Sequence, residues 1–476
     1  CLYFCTKLLY KLAFRFTSVY FPSFRAIILI YKEGFEMPQA NPLKQIVVKQ
    51  KEGKPVGIYS CCSANDYVIE AALECVKRDD SCVLIEATAN QVDQNGGYTG
   101  MTPKDFREFV LKKAKAIGVD ESRIFLGGDH LGPLTFAALP EKEAMEKAEE
   151  LVRCYVAAGF TKIHIDTSMK VADDDPNIRL SDAVIAKRGA HLARICEETY
   201  QELLKQNPNA VRPVYIVGSE VPIPGGAQEE GAGMQVTRVE DFKATVKTFE
   251  EAFAAEGLKE TWKDVMGVVV QPGVEEKDDG CTEYDRSKAS DLMASIKEYP
   301  NLIFEGHSTD YQTKFKLREL IEDGVGILKV GPGLTYAMRE ALFALANIET
   351  AVYHGKEEAL SNFIDVLEEA MMEDPKNWKK HYHGDDNALW FKRKYSFSDR
   401  SRYYMPNPKV TAAKDKLIAN LRKSGIPLSV LSQFMPIQYT KVREGHLEND
   451  PEALIKDRIV NTIDEYLYAT HQETLF

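Results

Sequence analysis

A chain of 476 residues, 44% hydrophobic and 28% charged, has the composition of an ordinary soluble globular protein, which excludes long disorder as the default state. No run reaches the roughly 18 uninterrupted apolar residues of a membrane-spanning helix; the best candidate, residues 26–31, is preceded by Pro22 and Arg25. A formal net charge of −12 argues against nucleic acid as a main partner and leaves room only for a local basic pocket that takes a phosphate.

The first 36 residues read as foreign to the fold. They are crowded with Phe, Tyr, Leu and Lys and end in Lys32-Glu-Gly-Phe-Glu-Met37, where Lys-Glu-Gly is what a purine-rich ribosome-binding site would encode if translated in frame. The expectation is a non-native translated leader, disordered or unpacked, with Met37 as the true start. The rival readings are a signal peptide, which lacks a small-residue cleavage site before Met37, and a membrane-surface anchor. Without this segment, which holds five Lys/Arg and two Asp/Glu, the net charge is −15. Seven of the nine cysteines follow it, without C-x-x-C spacing and mostly inside apolar runs, which is reduced, cytosolic usage.

From Met37 onward, short runs rich in Val, Ile, Leu and Gly alternate with longer amphipathic stretches. Eight strands are predicted, at 57–65, 81–88, 123–130, 162–168, 213–220, 266–273, 302–308 and 325–332. Helices are predicted between them, including 102–117, with Thr102 as N-cap and Pro103 first, and 140–158, closed by Gly159. Eight such units predict an α/β fold, a closed (β/α)8 TIM barrel over residues 37–340. An open doubly wound sheet is the runner-up, but no G-x-G-x-x-G follows the first strand. After residue 340 the strand signal stops, and 341–476 is predicted as a helical extension packed on the barrel.

Chemistry in such a barrel sits where the strands end, so the polar residues there are the candidates: Ser63, Asn65, Glu86, Asn90, Asp129, His130, Asp166, Glu220, Gln271, Glu305, His307 and Lys329. His130, Glu220 and His307 form a ligand set suited to Zn2+ or another divalent metal. His164, inside Ile-His-Ile, is expected to be a satisfied core or helix-facing histidine. Asp129 points away from its neighbour unless the strand bulges, which Gly127-Gly128 and Gly132-Pro133 would permit. It reads either as a general acid or base, with Glu220 as its catalytic companion, or as a helix cap.

The loops after strands seven and eight hold small residues and a helix start. Ser308, Thr309, Lys329, Gly331 and Gly333 are therefore the predicted phosphate contacts, with Gln271 as a further substrate contact. The loops at 90–100 and 221–227 read as lids or as solvated connectors. The Arg- and Tyr-rich segment 395–404 is expected at the surface, with cover over the barrel mouth or the interface of a homo-oligomer as alternatives.

The motifs LIEATANQVDQNGGYTGMTPKDF, GGDHLGP, YVAAGFTKIHID, SEVPIPGGA, VVQPGVE, IFEGHSTDYQT, LKVGPGLTYAMREALF, HYHGD and YSFSDRSRYY run in order along the chain. With them the sequence resembles, from about Lys44 to about Ile459, the tagatose-bisphosphate aldolase Z-subunit family, known as the non-catalytic subunit of the class II enzyme. The resemblance implies a cytoplasmic TIM-barrel protein of galactitol or N-acetylgalactosamine catabolism. Its partner would be a catalytic Y-type subunit, stabilised and made fully active by it, that splits tagatose 1,6-bisphosphate. More distantly the chain is similar to the catalytic class II aldolases. Their Asp-His pair matches Asp129 and His130, and their Glu before Gly-Gly matches Glu220 with Gly225-Gly226.

The departures from the aldolase pattern are Gln271 and Glu305, which stand where metal histidines are expected. Aldolase activity by this chain alone is therefore not expected. A second hypothesis is a metal-dependent 4-epimerase of ketose 6-phosphates acting by retro-aldol chemistry, with His130, Glu220, His307 and Asp129 as its machinery. A tagatose 6-phosphate kinase is disfavoured, because no G-x-x-x-x-G-K-[ST] is present.

Overall fold

The computed structural model describes residues 40–219 and 235–475; the leader, Glu220 and the 221–227 loop lie outside the described residues. All eight predicted strands form. They are β1 (Ile58–Cys62), β2 (Val83–Thr88), β3 (Ile124–Leu131), β4 (Lys162–Ile165), β5 (Val214–Val217), β6 (Val265–Val270), β7 (Ile303–Gly306) and β8 (Val325–Val330). They pair in parallel around a closed barrel in chain order, with β8 returning to β1.

Strand parity decides what fills the barrel. Ile58, Leu84, Ile216, Ile303 and Ile327 form an apolar cluster low in the interior, while their outward neighbours Tyr59, Ile85, Val217, Phe304 and Leu328 join the core beneath the helices. Two residues further along, the same inward rows turn ionisable: Leu84 leads to Glu86, Ile303 to Glu305 and Ile327 to Lys329. On β4 the inward row is Lys162, His164 and, just past the strand, Asp166, and all three are fully buried.

Helices between the strands carry the predicted punctuation. The helix Pro103–Ile117 starts with a Thr102/Asp105 capping box and ends on Gly118 at φ 87°, a backbone conformation that glycine adopts without strain. We label four further helices: α1 (Lys44–Lys51), α2 (Asp66–Asp79), α3 (Pro332–Val352) and α4 (Pro451–Thr470). α1 contributes Ile46 and Val47 to the lower cluster. α3 leaves β8 and runs through residue 340 without interruption. The extension that follows is helical and returns to the barrel through α4, which packs against α2 and α3.

Past α4 the backbone reaches the base of the sheet. The Gly57 N–H donates to the Thr470 carbonyl at 2.9 Å. Gln472 accepts from the Tyr59 N–H at 3.1 Å and donates to the Cys82 carbonyl at 2.5 Å. No helix among the described residues is long and apolar enough to cross a membrane.

Candidate active site

The upper end of β3 builds the centre of the site. Pairing with β4 shifts register between Gly128 and Leu131, and His130 sits at φ 51°. This bulge turns both Asp129 and His130 toward the mouth, where strict alternation would separate them. Two glycines make the approach possible: a Cβ on Gly127 would stand 2.6 Å from Cγ of Glu86, and one on Gly132 only 1.8 Å from the Asp166 carbonyl oxygen.

Three imidazoles meet at this point. The ring centres of His130 and His164 are 5.0 Å apart, and His307 lies 5.1 Å from each. Every ring has its own carboxylate: His130 Nδ1 bonds Asp166 at 2.8 Å, His164 Nδ1 bonds Asp129 at 2.7 Å and His307 Nε2 bonds Glu305 at 2.9 Å. The backbone N–H of His130 also points at His164 Nδ1, at 3.2 Å. The shorter contact, to a carboxylate, assigns the proton to Nδ1. His164 Nε2 is then a bare lone pair, buried and without a hydrogen-bond partner.

His164 is therefore part of the site and not the satisfied core histidine expected from its apolar neighbours. Period-two parity with Lys162 and Asp166 was the signal that could have found it.

Below and beside the imidazoles lies an ionic network. Lys162 pairs with Glu86 at 2.8 Å and Glu305 at 2.7 Å; Lys329 pairs with Glu86 at 2.9 Å and Asp129 at 2.5 Å. Burial pushes Asp129 up, but Lys329 and the two neighbouring histidines outweigh it and hold the carboxyl well below its usual range. Asp166 is opposed by burial in the same way, and His130 and His164 bring it down to about 2. Burial, with Lys329 adding to it, pushes His307 down to about 3, so its imidazole is neutral at neutral pH. Burial also acts against charge on His130, but Asp129 and Asp166 raise it above its ordinary value.

These residues fit a divalent metal. Ligand atoms of Asp129, His164, Glu305 and His307 all lie within 4.8 Å of one another. Four carboxylates and two lysines leave the centre two negative charges in excess when the histidines are neutral. A carboxylate behind each histidine is the arrangement that orients metal-bound imidazole.

Above this floor opens a cavity of about 390 Å³. Asp129, His130, His307, Ser308 and Lys329 line it, together with Asn90, Gln91 and Tyr98 of the loop after β2 and Arg402 and Tyr403 of the extension. The segment 395–404 thus covers the barrel mouth. The surface expectation for it is corrected: Ser396, Asp399, Arg400, Ser401 and Tyr404 are buried.

Other predicted contacts have partners of their own. Gln271 turns back on its loop, accepting from the N–H groups of Gly273 at 2.7 Å and Val274 at 2.9 Å. The Thr309 hydroxyl donates to the Lys329 carbonyl at 2.6 Å. The amides of Gly331 and Gly333 donate to Asp310 Oδ1 at 3.1 and 2.7 Å.

The family model described as D-tagatose-1,6-bisphosphate aldolase subunit GatZ/KbaZ-like matches residues 43–471. The chain belongs to that family. A solved structure described as a probable tagatose 6 phosphate kinase from Sinorhizobium meliloti 1021 is 42% identical to this GatZ/KbaZ-like chain. The match covers 87% of this chain and 100% of the other, at a TM-score of 0.79. A fructose-bisphosphate aldolase from Campylobacter jejuni matches at 14% identity, covering 80% and 92% of the two chains, at a TM-score of 0.39.

Proposed function

We propose that this protein acts in the cytoplasm as the accessory subunit of a class II D-tagatose-1,6-bisphosphate aldolase, stabilising and activating a separate Y-type catalytic subunit in D-tagatose 6-phosphate degradation. The observation that carries this reading is the family match across nearly the whole folded chain. Its test is co-expression with a class II catalytic subunit: the two should co-purify, and the partner's aldolase activity and lifetime should rise. Absence of both effects overturns it.

The histidine triangle favours a second reading, in which the barrel is itself a metal-dependent ketose 6-phosphate 4-epimerase. The buried His164 Nε2 without a partner and three separately oriented imidazoles are features that a ligand site would use. His164 and His307, with the carboxylates beside them, would hold Zn2+ or another divalent ion, which would supply positive charge to polarise the ketose carbonyl. Asp129, anionic and on the cavity floor, takes the proton from the C4 hydroxyl. The C3–C4 bond then breaks, its electron pair passing toward the C2 carbonyl, and C4 becomes an aldehyde. Turning the aldehyde and re-forming the bond, with Asp129 returning the proton, inverts C4.

The assay is metal analysis and turnover of fructose 6-phosphate and tagatose 6-phosphate by the isolated chain. Stoichiometric metal and turnover lost in His307→Ala are expected. A metal-free, inactive protein leaves the accessory role alone.

A further inference from the structure

The cradle that barrels of this kind offer a phosphate, the amides at the start of the helix after β8, is occupied by the chain itself. Asp310 Oδ1 takes the N–H groups of both Gly331 and Gly333, and a Cβ on Gly333 would stand 3.0 Å from that oxygen. A ligand phosphate has to find its donors elsewhere around the cavity.

The extension supplies them. Arg402 lines the cavity, and its guanidinium donates to the Asp399 carbonyl and to the Tyr403 hydroxyl. Among the described residues Arg402 forms no ion pair, although Asp399, Glu276 and Asp310 act on it from farther away, and a guanidinium at the wall of a cavity without a paired carboxylate is suited to an anionic ligand. Arg400 stands beside it, its Nη2 3.0 Å from His381 Nδ1. Burial and the two arginines push His381 down to about 4, so at neutral pH it accepts from Arg400 and adds no charge of its own. The acids facing the pair are Glu276, whose carboxyl burial pushes up, weakening it as a counter-charge, and, toward Arg402, Asp399, which already accepts from the Ser401 N–H and hydroxyl. Tyr98 and Tyr403 meet edge to face at 5.3 Å and wall the same space.

The arginines are also held in place before any ligand arrives. The Ser396 hydroxyl donates to Asp278 at 2.7 Å, Tyr311 stacks on Phe397 with ring centres 4.3 Å apart, and the Tyr382 hydroxyl donates to the Ser398 carbonyl at 2.8 Å. The Ser401 hydroxyl and Asp399 close the turn at 2.6 Å. Little entropy is left to lose when an anion binds.

We propose that Arg402 is the docking site for the phosphate of a ketose phosphate, replacing the backbone cradle that Asp310 fills. This rests on the reading of the cavity as a sugar-phosphate site. It gives the extension a chemical task in the epimerase reading: cleavage leaves the phosphate on the aldehyde fragment, and an anchor at the mouth keeps that fragment in place while its carbonyl turns.

Calorimetric titration of the full chain with D-tagatose 6-phosphate, D-tagatose and inorganic phosphate tests it. Arg402→Ala and Arg402→Lys should weaken tagatose 6-phosphate binding by about 10- to 100-fold, the loss of a charge-assisted, two-pronged contact, and leave D-tagatose binding unchanged. Thermal melts of both variants establish folding, and the lysine variant reports should the alanine one unfold. Unchanged tagatose 6-phosphate affinity in a folded Arg402 variant overturns the proposal while leaving the sugar-phosphate reading intact. Binding of inorganic phosphate that depends on Arg402, without binding of either sugar, supports the subsite and overturns the sugar-phosphate reading.

Discussion

The two halves of the barrel interior are built on one set of strands and held together by opposite means. The lower half is a layer of Ile, Leu, Val and Met sealed by α1 and by the residues after α4. The upper half, one inward position later on β2, β7 and β8 and joined there by β3 and β4, is a circuit of carboxylates, lysines and histidines. Burying apolar side chains is rewarded wherever they pack, whereas each buried charge is tolerable only because its partner is present. The lower half is therefore tolerant and the upper half is not. A fold keeps an intolerant core where its charges serve a ligand.

That contrast is open to direct attack. Lys162→Met should do the most damage, about 3–5 kcal/mol in denaturant unfolding, because it leaves Glu305 without its lysine and Glu86 with Lys329 alone. A loss below about 1 kcal/mol would show that the circuit is not needed. Next in size is the metal: Zn2+ at about a hundred times its Kd should stabilise the chain by about 2.7 kcal/mol. His164→Ala should cancel that gain, as read by melting with and without chelator, and a full gain in the variant would remove His164 from the set. In the lower half, Ile303→Val should cost only about 0.5–1.5 kcal/mol. A loss matching that of Lys162→Met would erase the distinction between the halves.

The smallest effect concerns Asp310, which burial, with Glu276 adding to it, raises to about 7. Between its ordinary range and that value the folded chain keeps a proton that the unfolded chain has lost, so stability falls as pH rises through the window. Asp310→Asn retains an oxygen for Gly331 and Gly333 but cannot ionise, and the decline in melting temperature from pH 5 to 7.5 should become shallower. An unaltered slope would place the titration elsewhere.

The barrel was legible because buried parallel strands announce themselves as short apolar runs ending in polar residues, and every predicted run formed a strand. Asp129, His130, His307 and Lys329 were legible for the same reason: they stand at strand ends and reach the mouth. His164 was lost because its flanking isoleucines, which face the helices, made it look apolar, although Lys162 two residues before it marked the inward row. Ser308 and Gly331 line the cavity, whereas Thr309, Gly333, Gln271 and the Gly331 amide have the chemistry of phosphate and substrate contacts. No local pattern could reveal that Lys329, Asp310 and a neighbouring turn already engage them. Arg402 was hidden by distance, since nothing near residue 402 says which part of the barrel it will meet. Glu220 keeps the standing that the sequence assigned it, a candidate outside the described residues.

The base of the barrel has a consequence for biosynthesis. The Tyr59 N–H on the first strand finds its partner in Gln472, 413 residues later in the chain. At about 5–20 residues per second a ribosome takes roughly 20–80 s to cover that distance. Throughout that interval the inner ends of β1 and β2 lack the amide that bridges them. Closure of the barrel base by that amide therefore waits until α4 has been made.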